Sequence, residues 1–152
     1  MSPIIRRPTL ADRSQWELLW KGYLEFYREP DFPSELTELL WQRIHDVQHP
    51  IECFVAEDQD MGELVGLTHY LPHTNTWKAA LVCYLQDLFV NNRLRGQGIG
   101  ESLIQAVVEY SKTKGWIQVY WQTEHDNTTA RGLYDKLTGG TDGFITYHIG
   151  ES

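Results

Sequence analysis

The residues best suited to chemistry by type and spacing form a glycine-rich segment, Arg95-Gly-Gln-Gly-Ile-Gly100. Because glycine has no side chain, a ligand can approach the backbone closely and meet N–H groups that point outward. A helix is predicted to begin at this segment, and the first N–H groups of a helix attract anions, phosphate above all. The segment therefore predicts a phosphate-binding turn, with an ordinary turn before a helix as the alternative.

Two well-known phosphate loops do not fit this segment. The loop G-x-x-x-x-G-K-[ST] requires a lysine after its last glycine, but Gly100 is followed by Glu101 and Ser102. The dinucleotide pattern G-x-G-x-x-G has two residues before its third glycine, whereas only Ile99 separates Gly98 from Gly100. That pattern also belongs after the first strand of its fold, whereas this segment comes late in the chain. Both readings are therefore excluded.

The elements that must position this turn follow from apolar periodicity, from glycine and proline breaks and from capping residues. They predict an α/β or α+β domain with a mixed sheet, and a single domain over residues 1–152. The predicted elements are a strand at 4–6, helices from Trp16 to Tyr27 and from a Ser34 cap to Ile44, strands at 51–56 and 64–70 joined as a hairpin, a polar loop at 72–77, a strand at 81–90, a helix that begins at the glycine segment and stops at Gly115, a strand at 116–121, a helix capped by Asn127 that ends at 139–140, and a strand at 144–149.

Motif and order together resemble one superfamily. Arg95, Gly98 and Gly100 match (Arg/Gln)-x-x-Gly-x-(Gly/Ala), motif A of the GNAT (GCN5-related N-acetyltransferase) superfamily. The segment 84–90, Tyr-Leu-Gln-Asp-Leu-Phe-Val, resembles the strand before motif A in the diamine acetyltransferase branch. The interval from Asn127 to Tyr134 resembles that branch too, and the opening Trp-x-x-Leu-Trp-x-x-Tyr-x-x-Phe-Tyr is similar to small histone and polyamine acetyltransferases.

The resemblance implies a fold and an activity. The fold is α+β, with a central, mostly antiparallel mixed sheet that splays at its fourth and fifth strands and about four flanking helices. The activity is transfer of an acetyl group from acetyl-CoA to a primary amine. The same resemblance implies that the coenzyme pyrophosphate binds the segment Arg95, Gly96, Gln97, Gly98, Ile99 and Gly100, that the backbone of Leu88, Phe89 and Val90 binds the oxyanion and the pantetheine, and that Asn127 and Tyr134 also contact the coenzyme.

The reaction needs an acid and a base. The pKa of an alkylammonium, ~10.4, lies ~3.4 units above pH 7, so forming the neutral, nucleophilic amine costs roughly 4.6 kcal/mol. Tyr134 is the predicted general acid, with a core tyrosine as the alternative. In the diamine branch a glutamate stands where this chain has Gln86, so Asp87 is the predicted base, acting directly or through water. Strand alternation predicts that Gln86 and Asp87 lie on opposite faces of the sheet, so a structural role for the Asp87 carboxylate is an equal alternative to its role as the base. Glu124 and His125 are the other candidate bases.

Aromatic residues on the first helix predict how the acceptor is held. The resemblance implies that Tyr23, Phe26 and Tyr27 line the acceptor site together with Gln86, and their rings suit an alkylammonium through cation–π attraction. The predicted acceptor is a polyamine, a lysine-like small amine or a protein lysine, with a non-cationic acceptor as an alternative. A coenzyme A-binding sensor without turnover is the alternative from another functional class.

Composition sets the remaining expectations. The net charge of −8 argues against nucleic-acid binding and is compatible with a cationic acceptor or with solubility alone. No apolar run is long enough for a membrane span, and the start of the chain has no signal-peptide pattern. Cys53 and Cys83 are predicted to be buried thiols of a cytoplasmic protein. His69 and His73 lack a third ligand, so no metal is expected. A homodimer or higher homo-oligomer is expected.

Overall fold

The computed structural model describes residues 3–150, and the chain divides between Trp121 and Gln122 into two compact units. The first unit contains all the strands and three of the α-helices, and the second contains one α-helix. The prediction of a single domain over residues 1–152 stays a prediction. Within residues 3–150, no helix combines the length and the apolar character needed to cross a lipid bilayer.

Residues 3–150 form eleven elements in succession, two of them short 3₁₀ turns at 10–12 and 92–94. The elements are β1 (Ile4–Arg6), α1 (Arg13–Phe26), α2 (Ser34–Ile44), β2 (Glu52–Asp58), β3 (Glu63–Asn75), β4 (Lys78–Val90), α3 (Ile99–Lys114), β5 (Val119–Tyr120) and α4 (Thr128–Thr138).

The five strands of the first unit form one sheet in the order β1-β2-β3-β4-β5. Its first four strands are antiparallel, and β5 runs parallel to β4. This arrangement, with the helices around it, confirms the predicted α+β fold with a mostly antiparallel mixed sheet. β5 pairs with β4 only at Cys83 and Tyr84, so the rest of β4 has no β5 residue beside it. The sheet is therefore splayed between its fourth and fifth strands, as predicted.

The core lies on both faces of this sheet. On one face, Trp16 and Trp20 of α1 pack with Val55 and Leu67 of the strands, so both tryptophans are core residues. On the other face, α3 packs against strand residues that alternate with the first set, in a cluster of Ala56, Val65, Ile99 and Leu103. β2, β3 and β4 thus bury residues on both of their faces, which explains why their apolar runs are nearly continuous.

Four predicted features differ from the structure. The polar loop predicted at 72–77 is wrong, because β3 and β4 continue past β2 as a hairpin arm that needs no core and tolerates polar residues. The strand predicted at 144–149 is wrong, since no strand pairs with these residues in the described chain and their apolar side chains are exposed. The strand predicted at 116–121 is shortened to β5, and α2 is preceded by Pro33 as its N-cap instead of being capped by Ser34.

A buried ion pair attaches β1 to the start of α1 and makes stability depend on pH. The Arg6 guanidinium donates to Asp12 Oδ2 at 2.7 Å and to Oδ1 at 3.1 Å, and Asp12 also accepts from the Thr9 backbone at 2.7 Å. The hydrogen bond from Arg6 is the largest cause that lowers the pKa of Asp12. A lowered folded-state pKa stabilises the protein above the unfolded-state pKa and is lost as pH falls through the folded value.

We expect Asp12→Asn to lower the free energy of unfolding by about 1–3 kcal/mol at pH 7, because the variant removes a charged acceptor. The difference from the wild type should shrink below about pH 4, where an aspartate of the unfolded chain becomes protonated. Urea denaturation at pH 7 and pH 3 measures both. Glu38→Gln, which removes the exposed partner of Arg13, is the control and should change stability little. A constant difference across this pH range would contradict the assignment.

Candidate functional site

The glycine segment before α3 forms an open turn. Gly96 and Gly98 have φ angles of +83° and +80°, in the left-handed region that disfavours residues with a side chain. Gly98 is the N-cap of α3. A Cβ atom built at either position would meet no heavy atom within 4 Å, so open space lies directly beside the backbone. A ligand can therefore approach this turn without obstruction.

The donors at this turn suit a pyrophosphate. The first backbone bond of the α-helical pattern runs from the Ser102 N–H to the Gly98 carbonyl at 3.0 Å. The N–H groups of Ile99, Gly100 and Glu101 come before it and have no acceptor inside the helix. Together with the positive end of the 16-residue α3, they provide the donors that an anion requires. The donors on which the predicted phosphate site depends are therefore present, and phosphate binding itself stays a prediction.

Arg95 connects this turn to β4 and α1. Its Nε donates to the Val90 carbonyl at 3.3 Å. Its guanidinium carbon lies 5.3 Å from the centroid of the Phe26 ring and 5.5 Å from that of Phe89, which are cation–π distances. The arginine is thereby oriented by three groups while its side chain remains at the surface.

The end of β4 has a free backbone edge in the first unit. Val90 directs its carbonyl away from β3, toward Arg95, and in an antiparallel ladder the residue two positions earlier, Leu88, has the same orientation. No β5 residue pairs with either. Phe89 pairs with Leu67 of β3, and its ring packs in the core. Gly22 of α1 allows this packing, because a Cβ there would lie 2.8 Å from the Phe89 ring.

A β-bulge at Gln86 decides which side chains of β4 share a face. His69 pairs with Asp87 and Tyr70 pairs with Leu85, so Gln86 is the extra residue on β4. Strict alternation, which predicts opposite faces for Gln86 and Asp87, does not hold at a bulge. The bulge also brings Tyr84 onto the face of Asp87. Burial is the largest cause that raises the pKa of the Tyr84 phenol, and the charge of Asp87 is the next.

Asp87 accepts a hydrogen bond from a buried histidine. Its carboxylate is 8% exposed, and its Oδ2 lies 2.9 Å from His69 Nδ1. His69 Nε2 lies 3.1 Å from the indole nitrogen of Trp16. An indole N–H can only donate, so Nε2 must be the acceptor and the single ring proton resides on Nδ1. His69 is therefore a neutral imidazole that donates to Asp87.

Tyrosines surround the same carboxylate. Burial, and after it the charge of Asp87 and a hydrogen bond to its carboxylate, raise the pKa of the Tyr23 phenol far above its ordinary value. Tyr23 and Tyr27 have ring centroids 4.8 Å apart, and Tyr84 stacks on Tyr120 at 5.0 Å. The phenols of Tyr23 and Tyr84 stay protonated at neutral pH, so they are donors and aromatic faces beside one buried anion.

The three predicted acceptor residues of α1 differ in exposure. Tyr23 is half-buried beside Asp87, whereas Tyr27 lies at the surface and Phe26 is 49% exposed. Tyr27 joins the group through its contact with Tyr23, and Phe26 lies between Tyr27 and the Arg95 guanidinium. The structure thus brings Tyr23 to the carboxylate, packs Tyr27 against Tyr23 and places Phe26 toward motif A.

The remaining predicted residues belong to the second unit. Asn127 caps α4, and its side chain accepts from the Ala130 N–H at 3.3 Å, as predicted for an N-cap. Tyr134 lies one and a half turns into α4 and is half-buried. Glu124 and His125 are exposed, and the His125 carbonyl accepts from Arg131.

Sequence reasoning missed His69, Trp16 and Tyr84 as members of the Asp87 group. The signal for His69 was present, since a histidine inside an apolar strand has to find a partner when it is buried. The signal for Tyr84 was absent, because its position depends on the bulge. Among residues 3–150, no three His, Cys, Asp or Glu side chains gather as a metal site.

Both cysteines are buried and free, as predicted. Burial raises the pKa of Cys83 to about 11 and that of Cys53 further still. Both thiols are therefore protonated at neutral pH, which makes them packing residues.

Comparison with known proteins adds independent evidence. The family model described as "Acetyltransferase (GNAT) family" matches residues 16–139. D-amino-acid N-acetyltransferase HPA3 of Saccharomyces cerevisiae is 34% identical over 131 residues, which are 86% of this chain and 81% of that protein. Thialysine N-epsilon-acetyltransferase of Bos taurus is 36% identical over 91 residues, which are 56% of this chain and 53% of that protein.

Solved structures share the fold. A structure of AAC(6')-Iy with a bisubstrate analogue of coenzyme A has a TM-score of 0.82 at 18% identity and covers all of both chains. A probable acetyltransferase has a TM-score of 0.85 at 21% identity, covering 98% of each chain. The motif A turn, the free edge of β4 and the extent of the family match lead to one conclusion: the chain belongs to the GNAT acetyltransferase family and is an acetyl-CoA-dependent N-acetyltransferase.

Proposed function

We propose that this enzyme acetylates a small cationic primary amine, a polyamine or a lysine-like amine, and that Asp87 receives the proton of that amine. The observation that carries the proposal is the Asp87 carboxylate, almost buried and grouped with the Tyr23 and Tyr84 phenols. An anion with aromatic neighbours suits an alkylammonium, since the charge and the ring faces both attract it.

The proposed reaction assigns roles to Asp87, Leu88 and Tyr134. Asp87 takes a proton from the ammonium group, directly or through one water, and the neutral amine attacks the acetyl carbonyl carbon. The backbone amides at the free edge, Leu88 foremost, donate to the oxyanion that forms, a contribution of ~3 kcal/mol for one aimed donor. As the carbon–sulfur bond breaks, Tyr134 donates its phenol proton to the thiolate, and the second proton that the attacking nitrogen loses passes through solvent and restores the phenol.

Coenzyme binding is proposed at motif A, with the pyrophosphate on the amides of the turn between Arg95 and Gly100. The left-handed glycines and the empty space beside them support this assignment. Val90 and Phe89 are proposed to contact the pantetheine, and Asn127 is proposed to combine capping with coenzyme binding.

The alternatives remain specific. Glu124 and His125 are the other candidate bases, and their exposure favours Asp87, whose surroundings are better suited to hold an amine. Gln86 stands beside Asp87 at the bulge and is exposed, so it is proposed to contact the far end of the acceptor.

The similarity to a thialysine N-epsilon-acetyltransferase supports a lysine-like acceptor, and the similarity to a D-amino-acid N-acetyltransferase supports a free amino acid as the second candidate. A cytoplasmic location and homo-oligomeric assembly stay predictions.

Gly98→Asp tests coenzyme binding. The variant adds a carboxylate beside the proposed pyrophosphate site, so we expect acetyl-CoA binding to be abolished while the fold is retained. Gly98→Asn is the matched control, because asparagine tolerates the left-handed region and adds a side chain of the same size without charge. Calorimetric titration with acetyl-CoA measures both. Wild-type affinity in Gly98→Asp would remove the assignment.

Tyr134→Phe tests the general acid. The phenylalanine keeps the ring but lacks the acidic proton, so turnover should fall by ~10²-fold or more with little change in thermal stability. Steady-state kinetics and a thermal melt give the two values. Parallel losses of stability and turnover would instead identify Tyr134 as a packing residue.

An amine panel tests the acceptor class. Thiol release from acetyl-CoA is measured with spermidine, L-lysine, D-lysine, D-alanine, an aminoglycoside and an uncharged amine. We expect the cationic amines to react with high KM and with rates that rise above pH 8, where more of the amine is neutral. Gln86→Glu should improve kcat/KM for spermidine by adding a second carboxylate. Turnover of the uncharged amine alone would contradict a cationic acceptor, and no turnover at all would favour a coenzyme A sensor.

A further inference from the structure

We propose that His69 is a positioning residue for acetyl transfer, which orients the Asp87 carboxylate and keeps it available as the proton acceptor. The proposal rests on the proposed role of Asp87. It assigns a function to Trp16 and His69, the two members of the buried hydrogen-bonded chain Trp16–His69–Asp87 that coenzyme binding and the proposed proton transfers do not use.

The chain has one direction. Trp16 Nε1–H donates to His69 Nε2, and His69 Nδ1–H donates to Asp87 Oδ2. Reversing these hydrogen bonds would require the indole nitrogen of Trp16 to accept, which it cannot do. A protonated His69 ring would place its Nε2–H donor opposite the indole N–H donor at 3.1 Å. The histidine is thus held as a fixed donor to Asp87.

The packing holds the ring in place. His69 is 2% exposed, and its ring meets those of Trp16 and Trp20 edge-on at centroid distances of 5.9 Å and 5.4 Å. On the backbone side, His69 and Asp87 are directly opposite in the β3–β4 ladder, and the Thr68 hydroxyl donates to the Asp87 carbonyl at 2.7 Å. Neither partner can turn away without moving the sheet.

The fixed donor leaves the outer part of the carboxylate for other partners. Oδ2 is engaged by the histidine, and the Tyr23 phenol of α1 lies close enough for the Asp87 charge, after burial, to raise its pKa. A carboxylate has about four lone-pair positions, so it can hold two donors and still accept a proton from an amine. His69 thereby fixes which face of the carboxylate meets the acceptor, without touching the acceptor itself.

Paired variants separate positioning from folding. His69→Leu removes the donor, and His69→Asn keeps an N–H close to the place of Nδ1 while also losing the ring. Each is assayed with acetyl-CoA and with whichever of spermidine, L-lysine and D-lysine turns over fastest. We expect kcat of His69→Leu to fall about 10-fold to 100-fold, the range for losing one hydrogen bond to a charged group, with KM for acetyl-CoA unchanged. His69→Asn should recover most of that loss, although both variants lose stability.

A double-mutant cycle ties the effect to Asp87. Asp87→Asn alone should lower kcat strongly, and adding His69→Leu to it should change kcat little, because the group that His69 orients is already gone. Wild-type kcat in Asp87→Asn would overturn the proposed role of Asp87 and the inference with it. A low kcat in Asp87→Asn with a full additive loss from His69→Leu would overturn the inference alone.

The tautomer gives a readout that is measured on the wild-type chain and does not depend on activity. In the full chain labelled with ¹⁵N-histidine, the His69 ring at pH 7 should show a protonated Nδ1 and an unprotonated Nε2, with the assignment made from the spectrum of His69→Asn. A ring protonated at Nε2, or at both nitrogens, would overturn the proposal even if His69→Leu is inactive.

Discussion

The buried Asp87 carboxylate is the constraint around which this face of the protein is organised. A carboxylate removed from water must be compensated by hydrogen-bond donors. An unsatisfied neutral group in the interior costs about 1–3 kcal/mol of stability, and an unsatisfied charged group costs more. β3 provides His69 and α1 provides the Tyr23 phenol. The indole of Trp16 in turn satisfies the second ring nitrogen of His69, so the packing of α1 on the sheet and the polar chain depend on each other.

Backbone irregularity in β4 turns this chain into a site. The bulge at Gln86 brings Tyr84 beside Asp87, and the early end of pairing with β5 leaves the amides after Asp87 free on one side. Within a few residues, β4 thus carries the proposed base, the proposed oxyanion donors and, through Val90, a contact with Arg95 of motif A. A regular, fully paired strand would offer none of these arrangements.

Sequence patterns predicted much of this fold, because helices α1 and α3 bury one periodic face and the glycine turn has its own conformational requirement. The bulge was not predictable, since it depends on register between two strands, and strict alternation separated Gln86 from Asp87. His69 was considered only as a metal ligand, because its partner Trp16 lies 53 positions away in the chain. The segment 144–149 alternates like a strand, but strand formation needs a neighbour that the pattern cannot supply.

The central claim is that the acceptor amine meets Asp87, and a crystal structure with a bisubstrate analogue tests it most directly. In this compound, an acetyl linker joins the coenzyme A sulfur to a terminal nitrogen of spermidine. The account predicts that this nitrogen lies about 2.6–3.2 Å from the Asp87 carboxylate or one water away from it. A nitrogen placed instead against Glu124 or His125, with no contact to Asp87, would contradict the account.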